Sequence, residues 1–402
     1  MLLSARVSVR ILWCYRRPAR VRPASHRATT ASVGSSIVVG PSNKCTHGSP
    51  SLPCLFVFST FSILTTQIPE PDTIMTELRY PLHPDIVPRL DPEYAAFHDE
   101  HLIALPQAHD LAWDPKIRSG PTVPGSSTPL EVGSVKDYSL GKFEVRVFTP
   151  EGTAPSAGWP VFIFFHGGGW TLGNINSENA FSSNMCKHAN SVVVSVDYRL
   201  APEHPYPAAV EDAVVSLEWV RDHAKDILHA DPTKIAIGGS SSGGNLAAIL
   251  ALKAPLLSPP VKVIFQLLIV PVTDNTADVS GAQQKSWAEN ANTPWLSPAK
   301  MIWFKNNYLP NAEDWTKWDA SPIFADDSQL RLTPKAWIAV TELDILRDEG
   351  IAYGEKLRKV GVEVETKVYK GAPHPVMAMD GALSIGKQLV ADAAAALARA
   401  VS

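Results

Sequence analysis

Three consecutive serines lie between paired glycines in the stretch IAIGGSSSGGNLAA, residues 235–248. A serine hydroxyl attacks efficiently only when a base takes its proton and a third group orients that base. A strand, a Gly-x-Ser-x-Gly turn and a helix hold such a serine above a sheet, in a turn so tight that its neighbours must be small. Only Gly239-Ser240-Ser241-Ser242-Gly243 satisfies that window, because Ser240 lacks a glycine two positions on and Ser242 lacks one two positions back. Ser241 is therefore the candidate nucleophile, with Gly239 and Gly243 supporting the turn. The competing reading is an ordinary flexible turn, where small residues also gather.

The rest of the chain supplies partners. His374, in GAPHPVM, is the only histidine after Ser241, and it follows the strand-like VETKVYK. Asp344 stands at the end of another strand-like run, KAWIAVTEL, and the order serine, acid, histidine is the one expected on this architecture. Asp348 is the alternative acid, although at a helix start it also fits as a charge favoured by the helix dipole. A tetrahedral intermediate needs backbone donors for its oxyanion. FFHGGGW, residues 164–170, ends a further strand, and its glycines let the main chain approach a ligand closely. Gly167 and Gly168, with Ser242, are the expected donors. Gly169 belongs to the same loop, and His166, which precedes the glycines, is expected to brace it. Loss of one such donor costs on the order of 3 kcal/mol of transition-state stabilisation.

These groups require a sheet to carry them. Residues 142–150 alternate like a half-buried strand, and 159–167 form the continuous apolar run of a strand covered on both faces. Helix is expected over 177–190, with Ser177 as N-cap, then strand over 191–198 and helix over 208–228. Strand 234–239, a helix from 244, strands 262–271 and 335–343, a helix 347–361, strand 364–371 and an Ala-rich helix from about 381 complete the rhythm. This is an α/β fold with a mostly parallel sheet flanked by helices. Residues 75–130 precede the sheet and read as a cap. Residues 273–330 interrupt it and contain Trp287, Trp295, Trp303, Trp315 and Trp318, either as a lid over a substrate pocket or as packing for the insertion itself.

Bulk properties narrow the partners. The 402 residues carry a formal net charge of −4, which argues against nucleic acid as a main partner. The charge is uneven. Residues 1–69 contain seven Arg, one Lys and no acid, a formal +8, so the remainder carries −12. Cys14, Cys45 and Cys54 lie in that basic segment and only Cys186 beyond it, which excludes a disulfide framework for the main domain. Residues 1–74 are expected to be disordered: either extension upstream of a start at Met75, implying a cytoplasmic protein, or a segment resembling a mitochondrial transit peptide. The apolar run at 54–64 is too short to cross a bilayer, which takes about 20 residues. Membrane contact would need this segment as an anchor.

Taken together, HGGGW, DYRLAPEHPYPAAVED (197–212), GGSSSGGNLAA and DILRDEG resemble the hormone-sensitive-lipase-like branch of the α/β-hydrolases, which includes bacterial and fungal esterases and arylacetamide-deacetylase-like enzymes. The resemblance covers about residues 138–400. It implies the α/β-hydrolase fold with a helical cap, Ser241, Asp344 and His374 as a catalytic triad, and Gly167, Gly168 and Ser242 as the oxyanion hole. It further implies small-molecule carboxylic esters of short to medium acyl chain as substrates, with no metal or cofactor. Amide or lactone hydrolysis, deacetylation of secondary metabolites, or ligand reception without catalysis are the alternative functions on the same fold. Three features depart from the family pattern. Ser240 stands where relatives carry Asp, with Ser242 in place of Ala, and PHPVM replaces the usual aromatic after the histidine.

Overall fold

The computed structural model describes residues 80–119, 123–374 and 376–402. The expectations for residues 1–74 lie outside these. Within the described residues, eight strands form one sheet in the order β1-β2-β4-β3-β5-β6-β7-β8. They are β1 (Ser134–Ser139), β2 (Glu144–Thr149), β3 (Trp159–Phe165), β4 (Val192–Asp197), β5 (Ala230–Ser240), β6 (Val263–Ile269), β7 (Lys335–Leu343) and β8 (Val364–Pro373). β1 and β2 pair antiparallel and β2 joins β4 antiparallel; β4, β3 and β5 to β8 are all parallel. The mostly parallel sheet read from the sequence is thus present. β1 is an addition: its residues SVKDYS are largely exposed and carry no apolar alternation, so pairing with β2, not patterning, makes it a strand.

The continuous apolar run of β3 has a direct cause. Val161, Ile163 and Phe165 face one core while Phe162 and Phe164 face the other, and all five are inaccessible to solvent. Successive side chains alternate across a strand, so a strand covered on both sides must be apolar throughout.

Helices α1 (Pro92–Phe97), α2 (Asn179–His188), α3 (Ala208–His223), α4 (Ser242–Lys253), α5 (Ser286–Glu289), α6 (Pro298–Tyr308), α7 (Asp327–Leu330), α8 (Arg347–Lys359) and α9 (Ser384–Val401) flank the sheet or lie in the segments around it. Ser177 is not the N-cap of α2. That position belongs to Glu178, in a left-handed conformation (φ 58°, ψ 26°), while the Ser177 hydroxyl accepts a bond from the Asn174 N–H (3.0 Å). The helix begins later than its pattern suggests because the Glu178 side chain is drawn towards the sheet.

The strand order positions the site. The chain leaves β3 towards β4 on one side and returns to β5 on the other, which opens a crevice at the C-terminal ends of β3 and β5. The loop after β3, the turn after β5 and the loops after β7 and β8 all emerge there. Residues of the two segments outside the sheet rhythm are pinned to one another and to the strand ends and loops around this crevice. Arg89 donates to the Glu289 carbonyl (3.1 Å) and to Asn290 Oδ1 (2.8 Å). The Asp91 N–H bonds the Gly371 carbonyl (2.9 Å), and Arg118 donates to the carbonyls of Thr171 and Ala201 (both 2.8 Å). The Glu349 carboxylate on α8 accepts from the N–H groups of Thr273 and Asp274 (2.8 and 3.2 Å) and from the Trp287 indole (3.3 Å). Burial holds that carboxyl well above the usual range, so it fixes the insertion chiefly through hydrogen bonds.

Candidate active site

Ser241 joins β5 to α4 with φ 54° and ψ −116°, a conformation that strains any residue with a side chain. The turn is held by the Ser241 N–H on the Ile269 carbonyl (2.8 Å), and by the Ser241 carbonyl, which accepts from Asn245 (3.0 Å) and Val272 (3.3 Å). Its tightness explains the flanking glycines. A Cβ on Gly239 would overlap the Gly243 main chain, and a Cβ on Gly243 would overlap the Phe165 carbonyl of the neighbouring strand. Ser240 and Ser242 are both buried, while Ser241 stays partly accessible.

His374 follows β8 and is 6% exposed. Its Nε2 lies 2.9 Å from Ser241 Oγ, and its Nδ1 lies 2.7 Å from Asp344 Oδ2. A carboxylate only accepts, so in the neutral ring Nδ1 carries the proton and Nε2 is free to accept from the serine. Asp344, directly after β7 and wholly buried, also accepts the Leu346 N–H on Oδ1 (3.0 Å). The three side chains brought together are those whose order in the sequence suggested a triad. Asp348, the alternative acid, is occupied elsewhere: it binds Arg347 Nε (2.7 Å) and the Ser286 N–H (2.9 Å).

The loop after β3 differs from expectation at one glycine. The Gly167 N–H is directed to Glu178 Oε1 at 3.4 Å, so it does not face the crevice as an oxyanion donor; only two residues beyond the strand, it still looks back into the fold. The N–H groups of Gly168 and Gly169 have no protein acceptor among the described residues. Gly169 adopts φ 59°, and Phe304 of α6 packs where its Cβ would lie, so the inserted segment presses directly on this loop. His166 Nδ1–H donates to the Gly167 carbonyl (2.7 Å), and its ring stacks on Tyr198 at 4.5 Å. Burial pushes its pKa down to about 4, so it stays neutral and braces the loop. The Tyr198 hydroxyl donates to the His166 carbonyl (2.9 Å).

Some contributors carry no sequence signal. Asn290, inside the insertion and fully buried, donates to the carbonyls of Glu342 (3.1 Å) and Asp344 (2.9 Å) at the end of β7. Thr293 donates to the carbonyl of Leu343 beside them. Glu178 accepts the Ser240 hydroxyl on both oxygens, at 2.8 and 3.0 Å. An asparagine in a loop and a glutamate at a helix start are too common for their types alone to mark them.

A family model described as an alpha/beta hydrolase fold matches residues 162–378, a stretch that includes every group described at the crevice. The chain belongs to the hormone-sensitive-lipase-like branch of the α/β-hydrolases. An AB hydrolase superfamily protein of Schizosaccharomyces pombe is 45% identical over 336 residues, covering 80% of this chain and 97% of its own. The carboxylesterase NlhH of Mycobacterium tuberculosis is 38% identical, over 59% of this chain and 72% of its own. Among solved structures, a thermostable esterase from Pseudomonas putida is 30% identical with a TM-score of 0.68, over 78% of this chain and 98% of its own. No helix among the described residues of this α/β-hydrolase is long and apolar enough to cross a membrane.

Proposed function

We propose that the chain is a serine carboxylesterase acting on short- to medium-chain esters through an acyl-enzyme. The carboxylesterase NlhH and the Pseudomonas putida esterase, both similar to this chain, support hydrolysis of ester bonds. The observation that carries the mechanism is the continuous hydrogen-bonded line from Ser241 Oγ through His374 to Asp344, at 2.9 and 2.7 Å.

Ser241 Oγ attacks the ester carbonyl carbon as His374 Nε2 takes its proton. Asp344 holds the imidazole in the required tautomer and stabilises the imidazolium that forms. The carbonyl oxygen, now an oxyanion, is met by the N–H groups of Gly168, Gly169 and Ser242. Ser242 qualifies because it opens α4, where the first N–H groups lack helical partners and the dipole favours negative charge. Collapse expels the alcohol, which receives the proton from His374. Water, activated by the same imidazole, then releases the acid and restores Ser241.

The test combines turnover with labelling. Ser241→Ala should remove hydrolysis of p-nitrophenyl butyrate and labelling by a fluorophosphonate while leaving the fold intact by circular dichroism. More than a few per cent residual turnover would overturn the assignment. Rates along an ester series from acetate to palmitate should peak at or below octanoate; a maximum at palmitate would refute the chain-length reading. Wild-type protein that binds esters yet neither turns over nor labels would instead be a receptor.

A further inference from the structure

We infer that Glu178 is a positioning residue that ties the nucleophile turn to the oxyanion loop, and that its carboxyl is why a hydroxyl and not a second carboxylate suits position 240. The inference rests on the reading of Ser241 as nucleophile.

One carboxyl reaches both halves of the site. It accepts the Ser240 hydroxyl at 2.8 and 3.0 Å, one residue before the nucleophile, and the Gly167 N–H at 3.4 Å, one residue before Gly168. β3 and β5 are adjacent parallel strands, paired up to Phe165 and Gly239. Beyond those residues the ladder ends; the Glu178 carboxyl links the two loops there, beside the Tyr198 hydroxyl, which reaches the His166 carbonyl (2.9 Å) and Ser242 Oγ (3.4 Å). The distance between the attacking oxygen and the oxyanion donors is therefore set in part across this side chain. Glu178 also holds a left-handed backbone at φ 58°, which costs a non-glycine residue roughly 1–2 kcal/mol and persists only where contacts over-determine it. Its own carbonyl accepts from Ser182 (2.9 Å), anchoring it to α2.

The chemistry of the pair explains the serine. No cation contacts the Glu178 carboxyl among the described residues; its polar neighbours are Ser240 and Gly167, with the Tyr198 phenol beyond. An aspartate at 240 would set a second carboxylate against it at hydrogen-bond distance, and two such groups cannot both ionise freely. A hydroxyl instead donates to it.

Five variants test the assignment in full-length protein at pH 8, with kcat and KM measured separately and folding followed by circular dichroism and thermal melting. Glu178→Ala and Ser240→Ala should lower kcat about tenfold or more with KM within about twofold, because the substrate touches neither residue. Glu178→Gln keeps, through its amide oxygen, the contacts that Oε1 makes with Ser240 and Gly167, and should hold kcat within about threefold. Ser240→Asp should lose at least tenfold in kcat, and the double variant Ser240→Asp/Glu178→Gln should regain at least fivefold of that loss. Folded Glu178→Ala and Ser240→Ala with wild-type kcat would overturn the proposal. So would a Ser240→Asp variant that is not improved by Glu178→Gln, which decides the matter even if Glu178→Ala does not fold. Ser241→Ala keeps the two readings apart: activity there refutes the nucleophile, whereas an inactive Ser241→Ala beside a fully active Glu178→Ala refutes only the positioning role.

Discussion

Two carboxyls flank Ser241, and their surroundings differ. Asp344 lies wholly buried on the base side, where it faces a ring N–H at 2.7 Å and a backbone N–H at 3.0 Å. Glu178, on the oxyanion side, has a hydroxyl and one long N–H contact, and desolvation raises its pKa to about 7. The first environment is built from donors aimed at a charge. The second accommodates a carboxyl that gives up its charge near neutrality. Identical chemistry in the side chain thus serves two ends in the proposed mechanism: one group steers a proton, the other holds two loops together.

The largest way to break this contrast is at Asp344. Asp344→Asn should lower kcat by about 10⁴, because the amide favours the wrong imidazole tautomer; a loss below tenfold in steady-state kinetics would mean that charge on this side is dispensable. The support beneath the acid comes next. Asn290→Ala strips donors from the carbonyls of Glu342 and Asp344, so stability should fall by about 1–3 kcal/mol in urea titrations and kcat by about tenfold. Unchanged kcat would show that the contacts to the carboxylate itself, from Leu346 N–H, Thr341 and His374, suffice to place it.

The Glu178 side is sharpened by pH. Its folded pKa of about 7 lies above the ordinary 4.5, so its contribution to stability is complete below about pH 4.5 and is lost as pH rises through 7. Between those limits wild type should lose about 1–2 kcal/mol relative to Glu178→Gln, allowing for solvent screening of a partly accessible residue. Parallel stability curves for the two proteins would remove the distinction between the carboxyls. The smallest effect belongs to Asp348→Asn, whose acid pairs with Arg347 away from the triad: kcat should stay within about threefold, and a loss like that of Asp344→Asn would overturn the assignment of the acid.

Legibility in the sequence followed the range of the forces involved. The elbow is read locally, since glycines at 239 and 243 answer to clashes within a few residues or with the adjacent strand. His374 is read by elimination, as no other histidine follows Ser241. The apolar run of β3 reports burial on both faces, and so locates the loop that follows it. In the same way the pattern marks α2 as a helix but not its start, because Glu178 takes a left-handed conformation with its carboxyl on a partner of β5, which its neighbours in the chain do not signal.

What the sequence by itself determined is therefore the α/β rhythm, the single serine able to occupy the turn and the order of its candidate partners. Periodicity and turn sterics are short-range, so residue type and spacing express them directly. Only the tertiary structure decided that Gly167 turns its N–H inward, that Asn290 carries the end of β7, that SVKDYS forms an edge strand, and that Ser240 meets a carboxyl 62 residues away. Each of these depends on which strands lie side by side, and strand order comes from packing of the whole sheet, which no local pattern encodes.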